Sequence, residues 1–404
     1  MKFQLIEAFK GGHHTNYIEA LLPVLRRCLA ESILSEVVIN VTKSHYEWLV
    51  RDGIAKKEDC NLRLIPDFPE IDSDPNLMER YQLFKALKSS IQSENPDVVI
   101  CTSADYDIMF NALFNGFAPQ VNKLGVIHYG YPYEEQLTFK EKIKQKIYET
   151  SWKYSGWDKL LFVNPVVYES MLRRHAHLSS KIHLLPDPVQ SSAEIDITEA
   201  RQHLGIPTDG VYFGFVGLMD RRKAIPELLS GYVDSGAYKS SRLLLAGVMS
   251  QNCLELIQQK YQTFVDSQQI ILINRHLTAE EVQLGYAAVD IHTLLQYRRM
   301  NLSANLLKAV SSNKMIIVDD CGYTGMMTKR FNLGLTCNVS EADSVAEAML
   351  NALRLFPSFV PSEHTKRLVE FHQPENYANT IINHALKTNV LPVKHWDWVC
   401  ADLN

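Results

Sequence analysis

The feature that most constrains the fold of this chain is a repeated alternation of short apolar runs with helix-like stretches. Six such runs precede residue 190, at 3–9, 36–41, 97–103, 123–129, 159–164 and 181–186. The stretches between them place apolar residues at helical spacing, as Ile18, Leu21 and Leu25 do. Because strands buried on both faces form continuous apolar runs, the alternation predicts parallel strands covered by helices.

A second series of apolar runs follows a polar segment at residues 187–201. Its runs lie at 211–217, 241–247, 269–274, 289–295 and 314–320. Because 404 residues exceed the usual length of one domain, the two series predict two domains. We expect an α/β protein of two doubly wound parallel-sheet (Rossmann-like) domains facing a cleft. The domains are expected at residues 1–190 and 191–370, followed by a helix at 371–390 and a tail at 391–404.

Charge and cysteine usage exclude several classes of protein. The net charge of −5 and a pI near 6.3 give no cationic field, so nucleic acid is not an expected partner. Seven scattered cysteines without metal-ligand spacing indicate a reducing compartment and no metal site. The first residues lack the pattern of a signal peptide, and no apolar run reaches about 18 residues, so we expect a cytoplasmic protein.

In open parallel sheets, ligands bind beyond the carboxyl ends of the strands, so the loops at these ends are the candidate sites. After the first strand, Gly11 and Gly12 allow a ligand to approach the backbone closely, although an ordinary turn uses the same residues. The following His13 and His14 are expected to face solvent. His128 ends a later strand, where it suits a general acid or base and equally a capping residue.

Basic residues follow the first strand of the second series. There, Gly217 is followed by Arg221, Arg222 and Lys223, just before a predicted helix. Cations at such a loop can hold a diphosphate and stabilise the charge that it gains as a leaving group. Basic residues are also common in surface loops without any ligand, and this alternative stays open.

A further basic cluster surrounds the start of a predicted helix. Arg298 and Arg299 precede the helix, which begins near Ser303, and Lys308 lies within it. The amino terminus of a helix itself favours an anion, so the cluster predicts a site for a phosphate or a carboxylate. The alternative is that these cations are solvated or form surface ion pairs, which contribute only about 0 to 1 kcal/mol.

Several segments together resemble the retaining, sugar-nucleotide-dependent glycosyltransferases of the GT-B fold (glycosyl transferases group 1 type). In the second half they are FVGLMDRRK, LLLAG, EEVQLGYAAVDI and NLLKAVSSNKMIIVDDCGYTGMM. In the first half they are GGHHTNYIEALLPVL, the loop histidine His128 and LLPDPV. The resemblance covers most of residues 1–385.

The resemblance implies a metal-independent transferase whose only co-substrate is a nucleotide sugar, with a small molecule, a glycan or a protein as acceptor. The catalytic residues that it implies are His128, Arg222 and Lys223. The predicted substrate-binding residues are Gly11, Gly12, Gly217, Asn305 and Tyr323, together with Arg298, Arg299, Ser303 and Lys308 of the basic cluster described above. The family also implies that the helix at 371–390 packs back across to the first domain. Neither the acceptor nor the oligomeric state can be read from the sequence.

The sequence departs from this family at the donor site. The family carries two glutamates eight positions apart, and the aligned positions here are Met300 and Lys308. A lysine has no acceptor atom, so Lys308 cannot accept the ribose hydroxyl protons that the glutamate accepts. The alternative function is therefore a non-catalytic binding or scaffold protein with a degraded donor site. A nicotinamide-dependent oxidoreductase is disfavoured, because no GxGxxG follows an early strand.

The stretch at residues 139–157 has a pattern of its own. Phe139, Ile143, Ile147 and Trp152 form an apolar stripe between lysines, as in a helix that lies on a membrane surface. A helix that packs on the core explains the stripe equally well, and the lysines are offset by two glutamates in the same stretch. Core packing is the preferred interpretation, and contact with a membrane surface is not favoured.

Overall fold

The fold is described from a computed structural model, for residues 1–9, 13–51, 53–54, 61–71, 75–114, 120–128, 138–192, 194–297 and 303–403. The chain forms two compact units. Unit 1 consists of Met1–Pro188 and His372–Trp396, and unit 2 consists of Val189–Phe371 and Asp397–Asn404. Each unit is described by itself.

The first segment of unit 1 alternates strands with helices. Its strands are β1 (Lys2–Glu7), β2 (Glu36–Thr42), β3 (Leu62–Phe68), β4 (Val98–Cys101), β5 (Asn122–Ile127), β6 (Lys159–Phe162) and β7 (Ile182–Leu184). Its helices are α1 (His13–Ala30), α2 (Lys43–Arg51), α3 (Leu77–Glu94), α4 (Ile108–Phe114), α5 (Phe139–Tyr154) and α6 (Pro165–Arg174). The strands form one sheet in the order β3-β2-β1-β4-β5-β6-β7, and the paired strands are parallel.

Unit 2 repeats the same arrangement. Its strands are β8 (Val211–Val216), β9 (Ser241–Ala246), β10 (Ile270–Ile273), β11 (Ile291–Leu294), β12 (Met315–Asp319) and β13 (Gly334–Cys337). Its helices are α7 (Ile197–His203), α8 (Ile225–Asp234), α9 (Gln251–Lys260), α10 (Gln262–Asp266), α11 (Ala279–Ala288), α12 (Ala304–Ser311), α13 (Gly322–Phe331), α14 (Ala342–Leu355) and α15 (Glu363–Phe371). The parallel sheet has the order β10-β9-β8-β11-β12-β13, that of a Rossmann fold.

Two helices close the chain, α16 (Pro374–Leu386) and α17 (Trp396–Cys400). Helix α16 belongs to unit 1, where it packs against α1. The side chain of Asn122, at the start of β5, donates to the carbonyl oxygen of Ala385 at 2.9 Å. Unit 1 is thus assembled from two separate parts of the chain.

The predicted fold class is confirmed, since both sheets are parallel and are flanked by helices. Every predicted apolar run overlaps a strand of the structure. Two strands were missed, β3 and β13, and each lies at an edge of its sheet. An outermost strand has a neighbouring strand on one side only, so more of its residues can be polar. The sequences LRLIPDF of β3 and GLTC of β13 are accordingly not continuous apolar runs.

Three helices begin with the same reciprocal cap. The side chain of a residue before the helix accepts the N–H of a glutamate three positions later, and that glutamate accepts the N–H of the capping residue. The pairs are Asn76 with Glu79 for α3, Thr138 with Glu141 for α5, and Thr278 with Glu281 for α11. The pattern fixes the starting residue of each helix.

The preferred interpretation of the stripe on α5 was wrong for three of its four residues. Trp152 is buried, whereas Phe139, Ile143 and Ile147 are exposed. The helix has two apolar faces, and only one of them packs on the core. None of the helices in the described residues combines the length and the apolar character needed to cross a membrane.

Candidate functional site

In unit 1, the candidate site lies at the carboxyl ends of β1, β4 and β5. Glu7 is the last residue of β1 and is fully buried. Its carboxylate accepts hydrogen bonds from the hydroxyls of Thr102 (2.6 Å) and Ser103 (3.2 Å), which follow β4, and from the backbone N–H of Phe9 (3.0 Å). A buried carboxylate of this kind needs a positive partner.

That partner is His14 in the first turn of α1, whose Nδ1 lies 3.2 Å from Glu7 Oε1. Burial opposes both charges, but the charge of His14 and the hydrogen bonds of Glu7 lower the pKa of Glu7 to about 2. Burial by itself would lower the pKa of His14, yet the charge of Glu7 raises it. His14 was expected to face solvent, and that expectation was wrong, because its side chain turns inward to neutralise the buried acid.

His128 follows β5 and is held on two sides. Its Nε2 lies 2.5 Å from the carbonyl oxygen of Thr102, and its backbone N–H donates to Asp105 at 2.7 Å. Because a carbonyl oxygen only accepts, Nε2 carries the proton and Nδ1 is the acceptor of the neutral ring. Burial, helped by the charge of His14, lowers the pKa of His128 to about 4. The imidazole is therefore neutral near pH 7.

Two tyrosines complete the cluster. Tyr17 Oη donates to Asp187 at 2.9 Å and lies 3.3 Å from Nδ1 of His128. Burial and the charge of Asp187 raise the pKa of Tyr17 well above its usual range, so this hydroxyl keeps its proton. The ring of Tyr377, on α16, stacks on that of Tyr17 with 5.5 Å between centroids. Nδ1 of His372 lies 3.0 Å from the backbone N and O of Asp187.

These residues form one connected group, which we call the unit 1 network. Its members are Glu7, His14, Tyr17, His128, Asp187 and Tyr377. The network places a neutral imidazole with an acceptor nitrogen beside a charged carboxylate–imidazolium pair. Such a set can orient a hydroxyl compound and exchange a proton with it.

In unit 2, the candidate site lies at the carboxyl ends of β8 and β11. Gly217 follows β8 with φ +134°, and the carbonyl oxygen of Gly217 would lie 2.2 Å from a Cβ atom at Gly247. The two loops therefore approach more closely than other residues allow. The side-chain amide of Asn305, in the first turn of α12, lies 3.5 Å from the carbonyl oxygen of Val216 and beside Gly217.

The three basic residues after Gly217 form a short 3₁₀ turn, Arg221–Lys223. Asp220 caps this turn, accepting the N–H of Arg222 at 2.9 Å, and its carboxylate also pairs with the Arg222 guanidinium. The pairing holds the pKa of Asp220 below its usual range, although partial burial acts the other way. Lys223 instead extends toward the next strand, where Nζ lies 3.4 Å from Oε1 of Gln296 after β11.

The other predicted donor-site residues are placed as follows. Ser303 caps α12, where its hydroxyl accepts from the N–H of Leu306 at 3.4 Å. Lys308 is half-buried in the same helix, and Tyr323 is fully buried in the first turn of α13. Four predicted residues lie outside the described residues: Gly11, Gly12, Arg298 and Arg299. The structure therefore brings together Gly217, Asn305 and Ser303 at one sheet edge.

A cavity of about 470 Å³ lies at the same edge of unit 2. Its lining residues are Tyr297, Asp319, Asp320, Cys321, Asn338, Val339 and Ser340. Asp319, Asp320 and Cys321 form the one group of three potential metal ligands found in the described part of the chain. Both oxygens of Asp319 already accept hydrogen bonds, from Cys321 Sγ at 2.8 Å and from the N–H of Val339 at 3.2 Å.

Comparison with solved structures identifies the architecture. The chain is similar to sucrose-phosphate synthase from Thermosynechococcus elongatus, with a TM-score of 0.68, 16% identity, and coverage of 95% of this chain and 98% of that chain. It is similar to Anabaena HepE in complex with UDP and glucose, with a TM-score of 0.62, 11% identity, and coverage of 95% and 98%. It is also similar to a glycosyltransferase from Rickettsia africae, with a TM-score of 0.60, 13% identity, and coverage of 96% and 94%.

The chain has the GT-B fold. No protein-family model and no curated protein sequence matches it, so the likeness is one of structure rather than of sequence. Within this GT-B chain, sequence reasoning missed Glu7, Tyr17 and Asp187 as well as His14. One signal was present, since Glu7 is the one charged residue of the predicted strand run at residues 3–9. A charged residue in a buried strand predicts a buried partner.

Proposed function

We propose that the protein is a metal-independent glycosyltransferase that moves a sugar from a nucleotide-sugar donor to an acceptor with retention of configuration. Unit 1 binds the acceptor at the unit 1 network, where His128 is the general acid or base. Unit 2 binds the donor, and Lys223 stabilises the departing diphosphate. The GT-B fold and the UDP and glucose bound to the similar HepE support the donor class.

The observation that carries the proposal is the unit 1 network itself. It holds a buried Glu7–His14 ion pair and a neutral imidazole at the carboxyl edge of the sheet, where open α/β sheets bind ligands. Burying charges is costly, and strongly shifted pKa values are concentrated at functional sites. A protein that used this fold only as a scaffold would have no need of such a group.

A second candidate function is that of a binding protein that no longer turns over. The Arg222 guanidinium is neutralised by Asp220, and Lys308 stands where the family has an acidic residue. In this case the donor site would bind a nucleotide sugar without releasing the nucleoside diphosphate. The two candidates differ in what happens to a bound donor.

The test combines binding with turnover. A panel of uridine, guanosine and adenosine diphosphate sugars is screened by thermal unfolding, since a ligand at 100 times its Kd adds about 2.7 kcal/mol to the free energy of unfolding. Each ligand that binds is then assayed for release of the nucleoside diphosphate, with and without a mixture of candidate acceptors. We expect one nucleotide class to bind and to be turned over.

The same assay tests the role of His128 through a matched pair of variants. His128→Ala should abolish most of the turnover, whereas His203→Ala, at an exposed position in unit 2, should leave it unchanged. Binding without release of the diphosphate by the wild-type chain would favour the binding protein. If His128→Ala lowers the melting temperature but keeps full specific activity, the histidine is structural.

A further inference from the structure

The outer face of α5 has the composition of a membrane-binding surface. Phe139 is 81% exposed, and Ile143 and Ile147 are 46% and 43% exposed. These residues recur every four positions, so they form a single stripe along the helix. Five exposed lysines occupy the same helix: Lys140, Lys142, Lys144, Lys146 and Lys153. Helical geometry places Lys140 and Lys144 on one side of the stripe, and the other three on the opposite side.

The two acids of α5 do not offset this positive charge. Glu141 is bound within the cap of the helix, where it accepts from the N–H and the hydroxyl of Thr138 at 2.8 and 2.7 Å. Glu149 is largely buried, with Arg174 at 3.2 Å and His175 at 3.1 Å. Both acids therefore lie on the inner side, and the charged side chains beside the outer stripe of α5 are lysines.

Exposed apolar residues also occur on the two helices beside α5. Helix α4 packs against α5 and carries no charge in its sequence, IMFNALF, of which Leu113 and Phe114 are exposed. Arg80, in the first turn of α3, donates to Tyr148 of α5 at 3.2 Å. Leu77 and Met78 are exposed close to Arg80 in sequence. Exposed apolar residues flanked by cations are typical of an interaction surface.

We infer that this surface of α3, α4 and α5 docks on an anionic lipid bilayer. The apolar stripe enters the boundary between headgroups and acyl chains, and the lysines on both sides contact the acidic headgroups. Charge complementarity selects this occupant, since the whole chain carries a net charge of −5 while the outer face of α5 carries five lysines. A second copy of the chain would set these lysines against one another.

The test measures co-sedimentation of the full chain with two kinds of vesicle, pure phosphatidylcholine and phosphatidylcholine mixed with phosphatidylglycerol. We expect binding to the mixed vesicles, weakened by added salt, and little binding to the neutral ones. Lys144→Glu should lower the partition coefficient more than tenfold. Each lysine near an anionic surface raises this coefficient about fivefold, and replacing a positive charge with a negative one has about twice the effect, in free energy, of removing the positive charge. Ile143→Ser should lower it about tenfold through lost apolar burial.

The matched controls are Lys260→Glu and Val360→Ser, at exposed positions in unit 2. Both should bind as the wild type does, and thermal unfolding should show that all four variants are folded. The inference is overturned if the wild type ignores both vesicles or binds both equally. It is also overturned if Lys144→Glu and Ile143→Ser bind the mixed vesicles as well as the controls do. The same holds if the wild-type chain is a dimer in solution and these two variants are monomers, since the surface would then bind a second copy of the chain. Turnover of nucleotide sugars without lipid is independent of these outcomes.

Discussion

The two units place polar groups at the same edge of similar sheets, but the environments of these groups differ. In unit 1, Glu7 and His14 form a buried ion pair that packs beside two tyrosines and His128. In unit 2, the Arg222 side chain is 50% exposed, and Lys223 contacts its neighbour at the long distance of 3.4 Å. Separating a buried pair is costly, whereas an exposed cation exchanges partners at little cost.

The difference indicates two ways of preparing a site. The unit 1 network is fixed by its own hydrogen bonds before any ligand arrives, which suits the orientation of a neutral acceptor. The cations of unit 2 can leave their present contacts for a ligand of greater negative charge, which suits a diphosphate. The predictions below test this contrast, from the largest expected effect to the smallest.

The largest effect is expected from breaking the buried pair. Glu7→Gln should lower the free energy of unfolding by roughly 3–5 kcal/mol, because it leaves the charge of His14 buried without a partner. The matched change in unit 2 is Glu281→Gln, which removes the carboxylate of the exposed pair with Arg275. Chemical denaturation of both variants measures the difference. Equal losses of stability would show that burial adds nothing to the cost of breaking the Glu7–His14 pair.

Lys223→Ala should lower turnover by roughly a hundredfold or more, because the charge on the leaving diphosphate grows toward the transition state. Donor affinity should change less than turnover. The control is Lys239→Ala. Lys239 is exposed just before β9, so it lies at the amino ends of the strands, away from the candidate site at their carboxyl ends. Steady-state release of nucleoside diphosphate distinguishes the two variants. Normal turnover in Lys223→Ala would show that this lysine does not stabilise the leaving diphosphate.

Lys308→Glu tests the sign of the charge that unit 2 binds. If the lysine binds an anionic group of the donor, the substitution should weaken binding about tenfold or more, as for a lost charged hydrogen bond. If the lysine is instead a degraded ribose contact, glutamate restores an acceptor and strengthens binding. Calorimetric titration with uridine, guanosine and adenosine diphosphates separates the two. Equal affinity in both proteins would place Lys308 outside the site.

The smallest effect concerns acid, which should destabilise unit 1 before unit 2. Burial lowers the pKa to about 4 for four histidines of unit 1, His128, His183, His372 and His384. Among the described residues of unit 2, burial lowers the pKa of a histidine this far only at His292, to about 3. Between the usual pKa of 6.5 and these values the unfolded chain binds more protons, so stability falls as the pH falls through this window.

Other groups of unit 1 titrate in or near this window. Burial raises the pKa of Asp107 well above its usual range, so protonation of Asp107 stabilises the folded chain as the pH falls. Burial lowers the pKa of His45, which therefore acts in the same direction as the four histidines. The pKa of His14 is raised by Glu7 against the effect of burial, so its contribution changes above pH 6.5. Hydrogen exchange followed by mass spectrometry, from pH 6.5 to 4, should show earlier opening in the peptides of unit 1. Earlier opening in unit 2 would contradict the prediction.

The sequence predicts the central strands well, because a strand buried on both faces is apolar along most of its length. It does not reveal β3 and β13, whose edge positions permit polar residues. The same limit applies to α5, where a stripe of apolar residues shows that a helix has an apolar face but not what covers it. Only the structure separates the buried Trp152 from the exposed Phe139.

The placement of the candidate site residues can be predicted where their signal is local. Gly217 directly follows β8 and Lys223 lies in the loop after it, so their positions can be read from the sequence. The partners of Glu7 cannot, because His14, Thr102 and Ser103 come from three places in the chain and meet only in the folded sheet. The pairing of Arg222 with Asp220 is local, but which cation Asp220 pairs with depends on the 3₁₀ turn.

The discontinuity of unit 1 has a consequence for biosynthesis. Tyr377 and His372, which pack against the network from α16 and from the residue just after α15, are translated only after Val189–Phe371 of unit 2. A ribosome-bound chain can therefore complete most of unit 2 while the cluster around Tyr17 still lacks two of its neighbours. Since domains fold as units during synthesis, the unit 1 network gains these two neighbours only after most of unit 2 has been made.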